Sequence, residues 1–182
     1  MPRSARIPCL AAVLLAGALP LAAFAQDWRP ATVFVQGGPG PKDGLKAVTV
    51  GAQWPWVWRS EFAGGEFTGA TEVFLSGWRA DAPGGGHRTY AQLGLVPMFR
   101  WRPAQAPWFV EAGIGLSVLD KQYVTANRVQ SSEWNFSDNL ALGYDIGKGS
   151  EVSLRWQHSS NGGARKPNPG INLYAVRYAV KF

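Results

Sequence analysis

Cysteine is almost absent from this 182-residue chain. The single one, Cys9, lies in an N-terminal stretch with the marks of a leader, so a disulfide framework and thiolate chemistry are excluded from the remainder. After that stretch there is no apolar run long enough for a transmembrane helix. No 12-residue window has convincing helical periodicity. Charged residues make up only 16% of the sequence and form no long basic run, so nucleic acid is not an indicated partner. With two histidines, His87 and His158, and no carboxylate cluster, the sequence makes a poor metal site, and no cofactor is expected. Gly84-Gly85-Gly86 lacks the strand–turn–helix setting of a phosphate loop and reads as a turn.

What is present begins with the leader. Arg3 and Arg6 form a basic start, Cys9 to Phe24 is mostly Ala and Leu, and Ala23-Phe24-Ala25 is a small-x-small cleavage site. Residues 1–25 are therefore expected to be a signal peptide, with residues 26–182 forming a single domain. Losing Arg3 and Arg6 lowers the formal net charge from +6 to +4, compatible with an anionic lipid surface. Nine tryptophans are many for this length, and suit either a bilayer interface or a wide aromatic core.

Period-two alternation recurs along the chain and predicts eight strands, at about 31–37, 45–59, 66–79, 88–101, 108–119, 130–146, 150–160 and 171–182. Turn signals separate them, including Gly37-Gly38-Pro39-Gly40-Pro41, Gly64-Gly65, 83–86, 103–107 and Gly147-Lys148-Gly149. Most of these strands are long enough for a tilted bilayer crossing, and in lipid the sheet would have to close. The last segment alternates best: Tyr174, Val176, Tyr178, Val180 and Phe182 share one face, with Ala175, Arg177, Ala179 and Lys181 on the other. A soluble barrel of the lipocalin type would carry the same pattern with the solvents exchanged, and periodicity alone does not choose. The leader, the absence of cysteine and the final Phe182 favour an eight-stranded antiparallel transmembrane β-barrel of the bacterial outer membrane. Phe182 resembles the signal by which such barrels engage the barrel assembly machinery. With both termini periplasmic, the outer loops fall near 38–44, 81–87, 120–129 and 161–170.

The seventh strand ends at the fourth of these loops. Val152, Leu154, Trp156, His158 and Ser160 share a face, because residues two apart on a strand project alike. If the apolar members face lipid, His158 and Ser160 face it too. A serine hydroxyl becomes an effective nucleophile when a base takes its proton, and imidazole is the usual base. Set against that, an H-x-S pair is common, and at a strand end it is ordinarily a solvated loop boundary.

The order Gln157-His158-Ser159-Ser160-Asn161-Gly162-Gly163, followed by Lys166-Pro167-Asn168-Pro169-Gly170, resembles the signature of lipid A 3-O-deacylases of the PagL type. There H-x-S-N is followed by P-N-x-G before the last strand. The resemblance implies hydrolysis of the ester-linked acyl chain at the 3 position of lipid A, with lipopolysaccharide and outer-membrane lipid as partners. It implies Ser160 as nucleophile and His158 as base, and Asn161 and Asn168 as oxyanion candidates. Arg165 and Lys166, in the same loop, could contact lipid A phosphates.

One position departs from the pattern. The family's acidic residue falls two after the Gly of P-N-x-G, where this chain has Asn172. An amide can orient an imidazole but supplies no charge to an imidazolium. Asp138 offers an alternative acid, as a charged residue in the row Trp134, Phe136, Asp138, Leu140 and Leu142. If Gly147–Gly149 is a three-residue loop, Ile146 faces Ser150, and counting back along both strands sets Asp138 opposite His158. The rivals to a deacylase are a structural or adhesive outer-membrane barrel with a degenerate site, and a soluble periplasmic ligand-binding barrel.

Overall fold

The computed structural model describes residues 29–182. The expected leader, residues 1–25, lies outside them. Eight strands follow in order: β1 (Thr32–Pro39), β2 (Lys46–Phe62), β3 (Gly65–Asp81), β4 (His87–Pro103), β5 (Trp108–Leu119), β6 (Trp134–Gly147), β7 (Ser150–Ser160) and β8 (Ile171–Lys181). Each pairs antiparallel with the next, and β8 returns to β1, closing the barrel. Closure leaves no sheet edge, so the ladder satisfies the backbone without water.

Which solvent each face meets is decided by burial. Glu72, Gln92, Asn135 and Ser137 are fully shielded on the inside, while Val48, Leu75, Leu95, Ile114, Leu142 and Leu154 are exposed on the outside. A soluble barrel would show the opposite arrangement. An exterior of this kind is at home in hydrocarbon, and the soluble ligand-binding alternative is set aside on that ground. Aromatic residues gather toward the two ends of the wall. Trp101 and Trp108 meet edge to face near one end, at a centroid separation of 5.5 Å. Trp134 and Phe136 meet near the other, at 6.0 Å. Such girdles mark the two bilayer interfaces.

Polar and charged side chains interlock across the interior. Glu72 accepts from Arg155 at 2.7 and 3.1 Å, from Arg177 at 2.9 Å and from Gln53 at 3.0 Å. Nearer the short turns, Arg100 bridges Glu111 at 2.7 Å and Glu151 at 2.7 Å. Buried charges persist only when paired and hydrogen-bonded, which explains why these carboxylates and guanidinium groups interlock. Toward the end with the long loops an apolar cluster replaces them, including Leu45, Trp78, Tyr90, Tyr123 and Ile171. We call this end outer.

The strand limits differ from the sequence reading in three instructive places. β2 runs on to Phe62, past an irregularity between Pro55 and Arg59. Pro55 has no N–H to give to a ladder, so the strand bends there without ending. β6 begins at Trp134 rather than near residue 130. Gln130 and Ser132 continue the alternation as buried polar groups, yet residues 120–133 form a loop over the barrel mouth, with an isolated bridge between Val124 and Val129 and a Gln130 N–H bond to the Tyr123 carbonyl. The β6–β7 connection is also tighter than a three-residue loop. Gly147 pairs with Ser150 after a one-residue shift, with Lys148 and Gly149 both at positive φ, 54° and 73°. That backbone is the primed turn that matches the twist of paired strands. The shift absorbs the difference, so the register beyond it is unchanged.

Candidate functional site

β7 alternates strictly: Glu151, Ser153, Arg155, Gln157 and Ser159 are buried in the lumen, and Trp156, His158 and Ser160 are half-exposed on the outer wall. The expected placement of His158 and Ser160 on the lipid side therefore holds. Polar and titratable side chains are costly on a wall that faces lipid, and a functional demand is the usual reason for their presence. The β6–β7 register sets Asp138 opposite His158 and Phe136 opposite Ser160. The β7–β8 register sets Asn172 opposite His158 on the other flank. The histidine thus lies between the two residues considered for the third position.

Only one of them reaches it. His158 Nδ1 lies 2.9 Å from Asn172 Oδ1. The same oxygen accepts the indole N–H of Trp156 at 3.1 Å, and the Trp156 ring stacks on the imidazole at 24° with centroids 5.9 Å apart. Asp138 makes no hydrogen bond or ion pair with His158 among the described residues. Nor does a hydrogen bond join Ser160 Oγ to the imidazole there. Residues two apart on an extended strand are separated by roughly 6.6 Å along the backbone, and such contacts commonly tighten only when a substrate is seated. Ser160 Oγ accepts the Gly162 N–H at 3.5 Å. Phe136 packs beneath this turn, 3.1 Å from where a Cβ of Gly162 would stand.

The fourth outer loop, residues 161–170, is fixed from below. Asn161 is fully buried; its amide donates to Ser131 at 3.1 Å, Ser132 at 3.0 Å and the Arg165 carbonyl at 3.0 Å. Its oxygen accepts the Gly163 N–H at 3.0 Å. The side chain is committed to shaping the loop. Asn168 is placed differently. Its Oδ1 accepts the Asn161 backbone N–H at 3.1 Å and Gln130 Nε2 at 2.7 Å. A backbone N–H can only donate, so the oxygen of Asn168 is assigned without ambiguity and its NH2 group is directed elsewhere. Among the described residues that NH2 makes no hydrogen bond. Arg165 and Lys166 are exposed on the outer face of the same loop.

The approach to β8 completes the site. Gly170, at φ +68°, lies against the imidazole: a Cβ there would stand 2.6 Å from His158 Cε1 and 3.2 Å from Nε2. Its carbonyl accepts Arg128 Nη1 at 2.9 Å, and Arg128 is ion-paired with the buried Asp43 carboxylate. Three outer loops therefore converge behind His158. Sequence reasoning missed Trp156, Gln130 and Arg128 as contributors, and had Gly170 only as the glycine of the signature. Trp156 carried a local signal as the same-face neighbour of His158; Gln130 and Arg128 arrive through loop contacts that no strand pattern encodes.

A closed barrel with an apolar wall, bearing a histidine, a serine and an amide on that wall at its outer end, belongs to the class of membrane-embedded β-barrels equipped for hydrolysis. A family model described as lipid A 3-O-deacylase (PagL) matches residues 46–181, and the chain belongs to this family. Lipid A deacylase PagL of Bordetella bronchiseptica is 30% identical over 145 residues, covering 79% of this chain and 80% of that protein. Lipid A deacylase PagL of Pseudomonas aeruginosa is 29% identical over 136 residues, covering 72% and 75%. The crystal structure of the outer membrane enzyme PagL superimposes with a TM-score of 0.73 at 25% identity, covering 84% of this chain and all of that one.

Proposed function

We propose that this protein is an outer-membrane lipid A 3-O-deacylase that works from its lipid-facing wall. The observation that carries the reading is the hydrogen-bonded His158–Asn172 pair beside Ser160, on the exterior of the barrel and within the residues that match the family. A lipid substrate diffuses in the plane of the membrane and meets the wall directly, so no luminal pocket is required.

In this reading Ser160 Oγ attacks the carbonyl carbon of the 3-linked acyl ester while His158 Nε2 takes the hydroxyl proton. The tetrahedral intermediate collapses, and His158 returns that proton to the departing sugar oxygen. Water then repeats the sequence on the acyl-enzyme and releases the fatty acid. The developing oxyanion requires fixed donors. The free NH2 group of Asn168 and the backbone N–H of Gly162 are the proposed ones, and Asn161 contributes by shaping the loop. Arg165 and Lys166 are proposed to meet the phosphates of lipid A from the headgroup side. Asn172 is the proposed orienting partner of His158, with Asp138 as the alternative acid. Phe182, exposed at the foot of β8, is the proposed contact for the barrel assembly machinery, and residues 1–25 the proposed signal peptide.

The test is mass spectrometry of lipid A from cells producing the folded protein. Loss of the 3-linked acyl chain, abolished in Ser160→Ala, is the expected result. Unchanged lipid A despite a folded barrel would instead favour a structural barrel with a degenerate site.

A further inference from the structure

An amide in the place of a catalytic acid has a weakness that a carboxylate lacks. Its two ends have opposite hydrogen-bonding sense: the oxygen accepts and the nitrogen donates. If the oxygen faces His158, Nδ1 must carry the proton, and Nε2 is left with a lone pair that can accept from serine. If the nitrogen faces His158, Nδ1 must be the acceptor, the proton moves to Nε2, and the base is lost. A wrong tautomer of this kind accompanies a fall of about 10⁴ in turnover in a serine protease whose Asp is replaced by Asn. Asn172 is half-exposed and makes no backbone hydrogen bond through its side chain among the described residues, so its orientation needs another determinant.

We propose that Trp156 is a positioning residue that fixes the amide of Asn172, and through it the tautomer of His158. Indole nitrogen is a donor only. It lies 3.1 Å from Asn172 Oδ1, the atom that also stands 2.9 Å from His158 Nδ1. Reversing the amide would bring its NH2 group against the indole N–H, two donors facing each other. The indole thereby holds Oδ1 in the acceptor position, and His158 is held as the Nδ1–H tautomer with Nε2 basic. The stacking of the two rings keeps both donors aimed at the one oxygen. Trp156 acts on the histidine through the asparagine and touches no reacting atom. On the proposed hydrolase reading, this is how an uncharged residue serves as the third member.

The test combines a spectroscopic readout with a double-mutant cycle. In the detergent-solubilised full-length protein, ¹⁵N shifts of the His158 ring report the tautomer without substrate. The wild type is expected as Nδ1–H; an Nε2–H wild type overturns the proposal. Trp156→Phe keeps an aromatic ring and removes the donor. One ordinary hydrogen bond sustains about a fivefold population preference, so its loss lets the inactive orientation become substantially populated. Trp156→Phe should show a mixture of tautomers and lower kcat by somewhat under about twofold with KM unchanged. In the Asn172→Asp background either carboxylate oxygen accepts, and Trp156→Phe should leave the tautomer unchanged and kcat nearly so. An unshifted tautomer in Trp156→Phe, or an equal loss of kcat in both backgrounds, would make Trp156 a packing residue only. An inactive wild type with Nδ1–H His158 would sink the deacylase reading while supporting this one.

Discussion

Replacing Asn172 by Asp tests the electrostatics of the site with the smallest change of shape. The carboxylate would occupy the volume of the amide, 2.9 Å from His158 Nδ1, and would still accept the indole N–H of Trp156. What it adds is a negative charge beside an imidazole that becomes positive as Ser160 is deprotonated. Two unit charges about 4 Å apart interact by about 4 kcal/mol at the effective dielectric of a protein surface. Asn172 is half-exposed at the outer end of the wall, where interfacial water screens the charge, and desolvation of the new carboxylate cuts the gain further. About 1–1.5 kcal/mol is left, or roughly a tenfold increase in kcat. The stabilisation arises only when imidazolium forms, so KM should not move. The assay follows release of the 3-linked fatty acid from purified lipid A in mixed micelles. Circular dichroism and heat-modifiable gel migration establish that the variant is folded. A folded Asn172→Asp variant with kcat equal to or below that of the wild type would refute the argument, because it would mean that the third position has no electrostatic leverage on His158.

Three further outcomes follow from the same geometry. Asp138→Ala should retain most of the activity while Asn172→Ala loses it, since only the asparagine reaches the ring; the reverse ranking in the same assay would return the acid's role to Asp138. Gly170→Ala should fold yet lose activity, because its methyl would stand 2.6 Å from His158 Cε1 and the residue sits at φ +68°; migration on an unheated gel reports the fold and fatty-acid release the loss. Glu72→Ala should destabilise the barrel by about 3–5 kcal/mol, because Arg155 and Arg177 would be left buried without their shared carboxylate; urea unfolding in detergent would register the change.

The site was legible in the sequence to the extent that strand geometry alone determines it. Side chains two apart on β7 must share a face, and the glycine signal at 147–149 joins β6 to β7, with a one-residue shift near the turn that leaves the expected register in place beyond it. His158, Ser160 and Asp138 could therefore be placed together from residue numbers alone. The same numbers were silent on which solvent met that face. A barrel closed around Glu72, Arg155 and Arg177 answers the question, because three interlocked charges exclude an apolar interior. The β7–β8 connection spans residues 161–170, too long for a turn to dictate register; the signature marked Asn172 as the third position, but its contact with His158 is a product of the folded loop. That loop is in turn held by Gln130, which alternation had assigned to β6.

The choice between Asn172 and Asp138 shows why adjacency is weaker evidence than hydrogen-bonding sense. Both residues lie directly opposite His158, one on each neighbouring strand. Cross-strand proximity therefore treats them alike, and formal charge favours the aspartate. What separates them is the donor that each can satisfy together with the imidazole. On the Asn172 side Trp156 supplies an indole N–H to the same oxygen that stands 2.9 Å from the imidazole, so one amide oxygen ties the two rings together. No comparable partner engages Asp138 among the described residues. In a wall facing hydrocarbon, an ionised carboxylate carries a larger desolvation cost than an amide. A neutral third member whose orientation is fixed by a neighbouring ring is thus a physically coherent arrangement at this depth, provided that the ring is there to fix it.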